Sequence, residues 1–230
     1  MTDLVLYIVR HAEPAYPRDA LTARGRRQAR TLARRFAREA LTDLCSSPLR
    51  RAMQTAGYVA RATGLPCALE PWTAELESWA LAAGTPEEAP AWQVHPPAVR
   101  GARPPIDGDN WHRLPVWGDL ELAERFAKIG RESDAFFARL GWVREGDRYR
   151  AEPPAAPRRV AVVCHAGFAL TWLAHLLAVP PPLLWAGFAL APAAVTEVEL
   201  RRGADGTTTP RCLALGVPIE GGGAAGRRAS

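Results

Sequence analysis

The chain has 230 residues, 48% of them hydrophobic and 23% charged, with a formal net charge of +5. So apolar a chain can bury a sizeable core, which excludes wholesale disorder, and no stretch reaches the roughly 18 uninterrupted apolar residues of a membrane-spanning helix. Lys128 is the only lysine among 29 basic residues, and the arginines are spread along the chain. They form no stripe with interleaved aromatics, so nucleic acid is not an expected partner, whereas a few inward-facing arginines would suit an anionic substrate.

The length suits one large domain or two small ones. The opening residues lack a basic n-region and a small-residue cleavage site, so the expectation is a cytoplasmic protein without a leader. Cys45, Cys67, Cys164 and Cys212 lie far apart with no C-x-x-C pair. They read as reduced thiols, neither a disulfide frame nor a zinc site.

In chain order, residues 4–9 (LVLYIV) are a continuous apolar run rich in β-branched side chains, the pattern of a buried parallel strand. It ends at Arg10-His11-Ala12-Glu13-Pro14. Thr22 reads as the N-cap of a helix reaching about residue 40, with Ala29, Leu32, Ala33 and Phe36 on one face. A short strand over 43–46 leads into Ser47-Pro48 and a helix over about 49–62, stopped by Gly64 and Pro66. Residues 67–70 suit another strand. Residues 83–118 are rich in Pro, Gly and Trp without periodicity, as expected of a functional loop or lid.

Leu122, Phe126, Ile129, Ser133, Phe136 and Leu140 step by four and three, which predicts a helix. Residues 144–158 read as a polar, proline-containing connection. Residues 160–163 form a second buried strand, followed by the turn Cys164-His165-Ala166-Gly167. An apolar helix over 168–178 is broken by Pro180-Pro181-Pro182. Residues 195–200 and 212–215 read as strands around a turn at 203–206, and the Gly/Ala/Arg-rich tail 221–230 reads as disordered. This alternation predicts an α/β fold with a mostly parallel sheet covered on both faces.

The strands over 4–9 and 160–163 each deliver a histidine after their carboxyl ends, His11 and His165, at the sheet edge where α/β proteins bind ligands. Arg10 adds a fixed cation. The set suits a phosphoryl group, because a neutral imidazole attacks phosphorus and cations neutralise its oxygens. A lone histidine after a strand more often fills a turn or core position; two at matching strand ends are better evidence for a site, but they name no reaction.

Four segments resemble the histidine phosphatase superfamily, the group that includes cofactor-dependent phosphoglycerate mutases. Arg10-His11-Ala12 resembles its R-H-G/A motif, and Leu21-Thr22-Ala23-Arg24-Gly25 with Gln28-Ala29 resembles the L-T-x-x-G-x-x-Q-A segment. Residues 47–56 (SPLRRAMQTA) resemble S-x-L-x-R-A-x-Q-T-A, and His165-Ala166-Gly167 resembles the later H-G/A-G turn. The resemblance covers about residues 4–63 and 160–200. It implies a three-layer α/β/α domain over 1–220 with a cap inserted at about 78–158.

The same resemblance makes His11 a nucleophile forming a phosphohistidine. It has Arg10, Arg51 and the Ala166 position hold the phosphoryl oxygens, and His165 stabilise the transferring group. Arg50 reads as a solvated helix start, and Thr22 and Gly25 as structural. The family's proton donor falls in residues 72–77, where Glu75 is the choice and Glu77 the competitor; Glu13 would only shape the mouth. Mutases usually carry a Ser- or Gln-containing sequence and then Trp-Asn after the first motif. Here Glu13-Pro14-Ala15-Tyr16-Pro17 stands there, which favours hydrolysis of a small phosphorylated metabolite over mutase chemistry. A mutase-type phosphotransferase and a catalytically weak phospho-ligand binder remain the alternatives.

No cofactor or metal is implied. Residues 107–112 superficially resemble a calcium loop, but His112 and Gly118 stand where Gly and Glu are needed. His95 and His112 lack ligand-like spacing, and His175 falls mid-helix. Trp79, Trp92, Trp111 and Trp117 suit either an apolar lid or, preferably, a satellite core. Nothing in the sequence sets the oligomeric state.

Overall fold

The computed structural model describes residues 3–79, 90–118, 120–151 and 157–219. Six strands form the main sheet: Leu4–Arg10 (β1), Asp43–Ser46 (β2), Cys67–Leu69 (β3), Arg158–Cys164 (β4), Val195–Leu200 (β5) and Arg211–Val217 (β6). Their order is β6-β5-β1-β4-β2-β3. The β1, β4, β2 and β3 neighbours pair in parallel, while β5 and β6 run antiparallel at one edge. The expected mostly parallel α/β sheet is therefore present.

Both faces of β1 are buried, and alternate side chains serve opposite layers. Val5, Tyr7 and Val9 join Leu32, Phe36, Ala52 and Val59, which come from Ala23–Phe36 (α1) and Arg50–Thr63 (α2). Leu4, Leu6 and Ile8 join Phe136, Phe168 and Trp172 on the other face. Those come from Leu122–Arg139 (α3) and Ala166–Leu176 (α4). An apolar residue on β1 thus has a helix layer to meet whichever way it points, which is why the run is continuous.

Local chemistry sets the helix ends. The Thr22 hydroxyl accepts the Gly25 N–H at 2.9 Å and caps α1. The helix stops at Phe36 rather than near residue 40, and residues 37–40 form a turn in which Ala40 takes a left-handed φ of 49°. Gly64, with φ 74°, closes α2 as a left-handed C-cap.

Two expectations are corrected. The supposed connection over 144–158 contains a hairpin, Trp142–Glu145 with Arg148–Ala151, turning at Gly146-Asp147. The glycine there has φ 61°, and Tyr149 and Ala151 point inward while Arg148 and Arg150 point out. The prolines after α4 end it but also open a further helix, Pro181–Gly187 (α5), since proline fits a first helical turn. Residues 90–118 hold one short helix, Pro96–Arg100, and isolated helical turns. The tail 221–230 and residues 80–89 lie outside the described residues. Trp79, Trp111 and Trp117 are buried and pack edge-to-face on Trp185 at 6.2, 6.3 and 5.8 Å. They extend the core beside α4. Among the described residues no helix is long and apolar enough to cross a membrane.

Gly25 shows why its motif needs glycine: a Cβ there would lie 2.2 Å from the Glu13 carbonyl oxygen. Gly25→Ala should therefore destabilise the fold by about 1–3 kcal/mol, because backbone must shift to admit one methyl. Urea unfolding checks this, and an unchanged midpoint would contradict the close packing.

Candidate active site

Parallel pairing of β1 with β4 ends at Arg10 opposite Cys164, so the next residue of each strand, His11 and His165, emerge side by side. The His11 N–H donates to the Cys164 carbonyl at 2.9 Å. The two rings stand 5.1 Å apart between centroids. Both side chains are buried, and His165 is also the N-cap of α4.

His11 Nδ1 lies 2.7 Å from the Ala12 carbonyl oxygen. A carbonyl can only accept, so Nδ1 carries the proton and Nε2 keeps its lone pair. Arg51 Nε donates to that Nε2 at 3.3 Å, which requires the same tautomer. Burial is the main cause that lowers the His11 pKa to about 4; Arg10 and Arg51 add to it, while the Ala12 carbonyl and Asp19 oppose it. His165 is pushed down to about 2, chiefly by burial and then by His11, Arg51 and Arg10. Both imidazoles are thus neutral near pH 7. His165 Nε2 lies 2.7 Å from Ser47 Oγ, and its Nδ1 is buried without a hydrogen-bond partner among the described residues.

Cations surround the pair. Arg51 is 6% exposed, while its neighbour Arg50 faces solvent, so the two adjacent arginines of α2 separate into an inward and an outward one. Arg51 Nη1 donates to Asp19 Oδ1 at 2.6 Å, and its Nη2 is 3.8 Å from Glu77 Oε1. Its guanidinium carbon also lies 5.8 Å from the Tyr16 ring centroid. Arg10 donates through Nη1 to the Leu190 carbonyl, and its Nε is buried without a partner among the described residues.

Glu75 follows the short turn Pro71–Thr73 after β3. Its Oε1 accepts the N–H groups of Phe168 at 2.9 Å and Leu76 at 3.1 Å, and its Oε2 accepts that of Gly167 at 3.3 Å. The carboxyl therefore sits on the first turn of α4, next to His165. Burial raises its pKa and outweighs these N–H donors and the Arg51 charge, which favour the ionised form. Glu77 is 72% exposed at its side chain, on the outer side of Arg51. Ala166 opens α4, one residue before the amides that Glu75 uses.

The structure thus gathers His11, His165 and Arg51, with Arg10 at the end of β1 and the Glu75 carboxyl hydrogen-bonded to the first turn of α4. Glu13 is drawn elsewhere: it accepts the Thr22 hydroxyl at 2.7 Å and faces Arg24 at 3.4 Å, at the start of α1. His175 forms a separate contact with Asp134 at 3.1 Å and Arg144 at 3.2 Å. Three groups escaped the sequence reading: Ser47, quoted in a motif but given no task, and Tyr16 and Asp19 in the loop after β1. Among the described residues no group of three His, Cys, Asp or Glu side chains has the arrangement to hold a metal ion.

No curated protein matches the chain. Solved structures do. The mycobacterial glucosyl-3-phosphoglycerate phosphatase is 19% identical with a TM-score of 0.58, covering 93% of this chain and 98% of that one. A structure described as mycobacterial hydrolase 2 is also 19% identical, with a TM-score of 0.62 and 94% and 91% coverage. A mutant phosphoserine phosphatase from Entamoeba histolytica, in complex with phosphoserine, is 18% identical with a TM-score of 0.58, covering 92% and 95%. At these identities the likeness is one of fold. The profile of the histidine phosphatase superfamily (branch 1) matches residues 6–209, and the chain belongs to that superfamily.

Proposed function

We propose that the protein is a metal-independent phosphomonoesterase that acts on a small phosphorylated metabolite through a phosphohistidine on His11. The observation that carries this reading is the neutral His11 Nε2, its lone pair set by the Ala12 carbonyl and faced by the Arg51 guanidinium. Names of similarly folded proteins support it: glucosyl-3-phosphoglycerate phosphatase and phosphoserine phosphatase both act on phosphate esters of small acids.

In the first step His11 Nε2 attacks the ester phosphorus in line, the bond to the alcohol oxygen breaks, and the Glu75 carboxyl gives its proton to that oxygen. Arg51 and Arg10 supply charge-assisted donors to the phosphoryl oxygens, a pairing in which arginine forms short, directional bonds. Among the described residues the buried Arg10 Nε and His165 Nδ1 lack partners, and an unpaired buried N–H such as that of Arg10 Nε costs about 1–3 kcal/mol, which a phosphoryl oxygen would recover. In the second step Glu75, now ionised, takes a proton from water, whose oxygen attacks phosphorus and releases neutral His11 and inorganic phosphate. Burial suits Glu75 to this alternation by holding its proton above the ordinary carboxyl range. Exposed Glu77 has no such burial.

Two outcomes follow. His11→Ala should lose at least about a thousandfold in para-nitrophenyl phosphate hydrolysis with chelator present, at unchanged circular dichroism. Substantial retained turnover would remove His11 as nucleophile. The pH profile carries the second test. His11 acts only when deprotonated, so kcat/KM should rise with pH through about 4, and it should fall again as Glu75 ionises. After correction for the substrate's own ionisation, Glu75→Gln should lose the falling limb and about 10²–10⁴-fold in rate on an alkyl ester. A falling limb that survives this change would move the proton to Glu77.

A further inference from the structure

The loop after β1 departs from the mutase pattern, and the structure gives it a use. Tyr16–Arg18 form one helical turn, closed by the Asp19 N–H donating to the Tyr16 carbonyl at 3.0 Å. Asp19 has φ 43° and ψ 44°, a left-handed conformation that Asp tolerates better than most residues. On either side Pro14–Ala15 pair with Ala20–Leu21, and the Leu21 N–H donates to Gln54 on α2 at 2.8 Å. The loop is thus anchored at its base and to α2.

From that platform both Asp19 carboxylate oxygens reach α2. Oδ2 accepts the Arg50 N–H at 2.7 Å, serving the first turn of a helix whose own N-cap residue, Leu49, offers no side-chain acceptor. Oδ1 accepts Arg51 Nη1 at 2.6 Å. Arg51 is nearly buried beside the neutral His11 ring, and a buried cation needs a counter-charge. A free arginine side chain also holds rotamer entropy, which this contact removes before substrate arrives.

We propose that Asp19 is a positioning residue, which strapped to the start of α2 aims the Arg51 guanidinium at His11 and, as its counter-charge, weakens its hold on the phosphate released. The inference rests on the phosphatase reading above. Alignment and affinity then move in opposite directions when the carboxylate is lost. Arg51 gains freedom, so the reacting phosphorus is held less accurately and kcat falls. The same Arg51 loses its nearer anion and keeps only the exposed Glu77 at 3.8 Å, so inorganic phosphate takes the place of Asp19 and binds more tightly. General damage to the site would weaken both.

The test compares wild type, Asp19→Ala and Asp19→Asn in steady-state hydrolysis, with inorganic phosphate binding measured separately by titration calorimetry. Asp19→Ala should lower kcat about tenfold, within the range that small misplacement produces. Asp19→Asn keeps one neutral acceptor in a conformation Asn also tolerates, and should recover part of that loss. Phosphate should bind at least threefold more tightly to both. An Asp19→Ala kcat within twofold of wild type would overturn the proposal, as would phosphate affinity that is unchanged or weaker in the variants. If Asp19→Ala does not fold, Asp19→Asn decides through the phosphate affinity. Failure of the phosphatase reading is told apart by wild-type turnover that survives His11→Ala, while calorimetry reads Arg51 whether or not hydrolysis occurs.

Discussion

The parallel register of β1 against β4 is the constraint on which the site depends. Seven residue pairs, from Leu4 with Arg158 to Arg10 with Cys164, bring two chain segments about 150 residues apart to a common end. A slip of one residue would turn every side chain of a strand to the opposite layer, exchanging the partners of Leu6 and Tyr7. Both faces of β1 are packed by helices of different character, so the cost of a slip falls on the whole core. The packing of the sheet therefore fixes the 5.1 Å between the histidine rings. Paired strands and the helices after them place His11, His165 and Arg51, and the loop after β1 adds Asp19 to Arg51.

Electrostatics then gives the neighbouring groups different tasks. Burial holds both imidazoles neutral among arginines, and the same burial raises the pKa of the Glu75 carboxyl. One desolvating environment thus yields, on the proposed reading, a base that is free to attack and an acid that is ready to donate. The arginines make the site attractive to a dianion, and Asp19 and Glu77 temper the one that touches His11.

Much of this could be read along the chain because it depends on local periodicity. The apolar runs at 4–9 and 160–163, the Thr22 cap and the four-three stepping of α3 each follow from side chains within a few residues of one another. The hairpin at 142–151 was hidden because its strands are short and three of its residues are arginines; only Gly146-Asp147 between alternating side chains marks it. The prolines at 180–182 gave a true break after α4, but their compatibility with a first helical turn let α5 begin there. Arg51 could be told from Arg50 by motif position, and the burial of one and exposure of the other agrees. Ser47 and Asp19 left no local trace, since their contacts span 118 and 32 residues. Such contacts belong to the tertiary fold, which a single sequence does not display.

The stereochemical course at phosphorus tests the central claim most directly. A phosphate ester made chiral with three oxygen isotopes would be hydrolysed in an acceptor alcohol that captures the phosphoryl group, and the product configuration read by phosphorus NMR. Two successive in-line displacements, onto His11 and then off it, predict overall retention. Inversion would mean a single direct displacement and would contradict a phosphohistidine on His11.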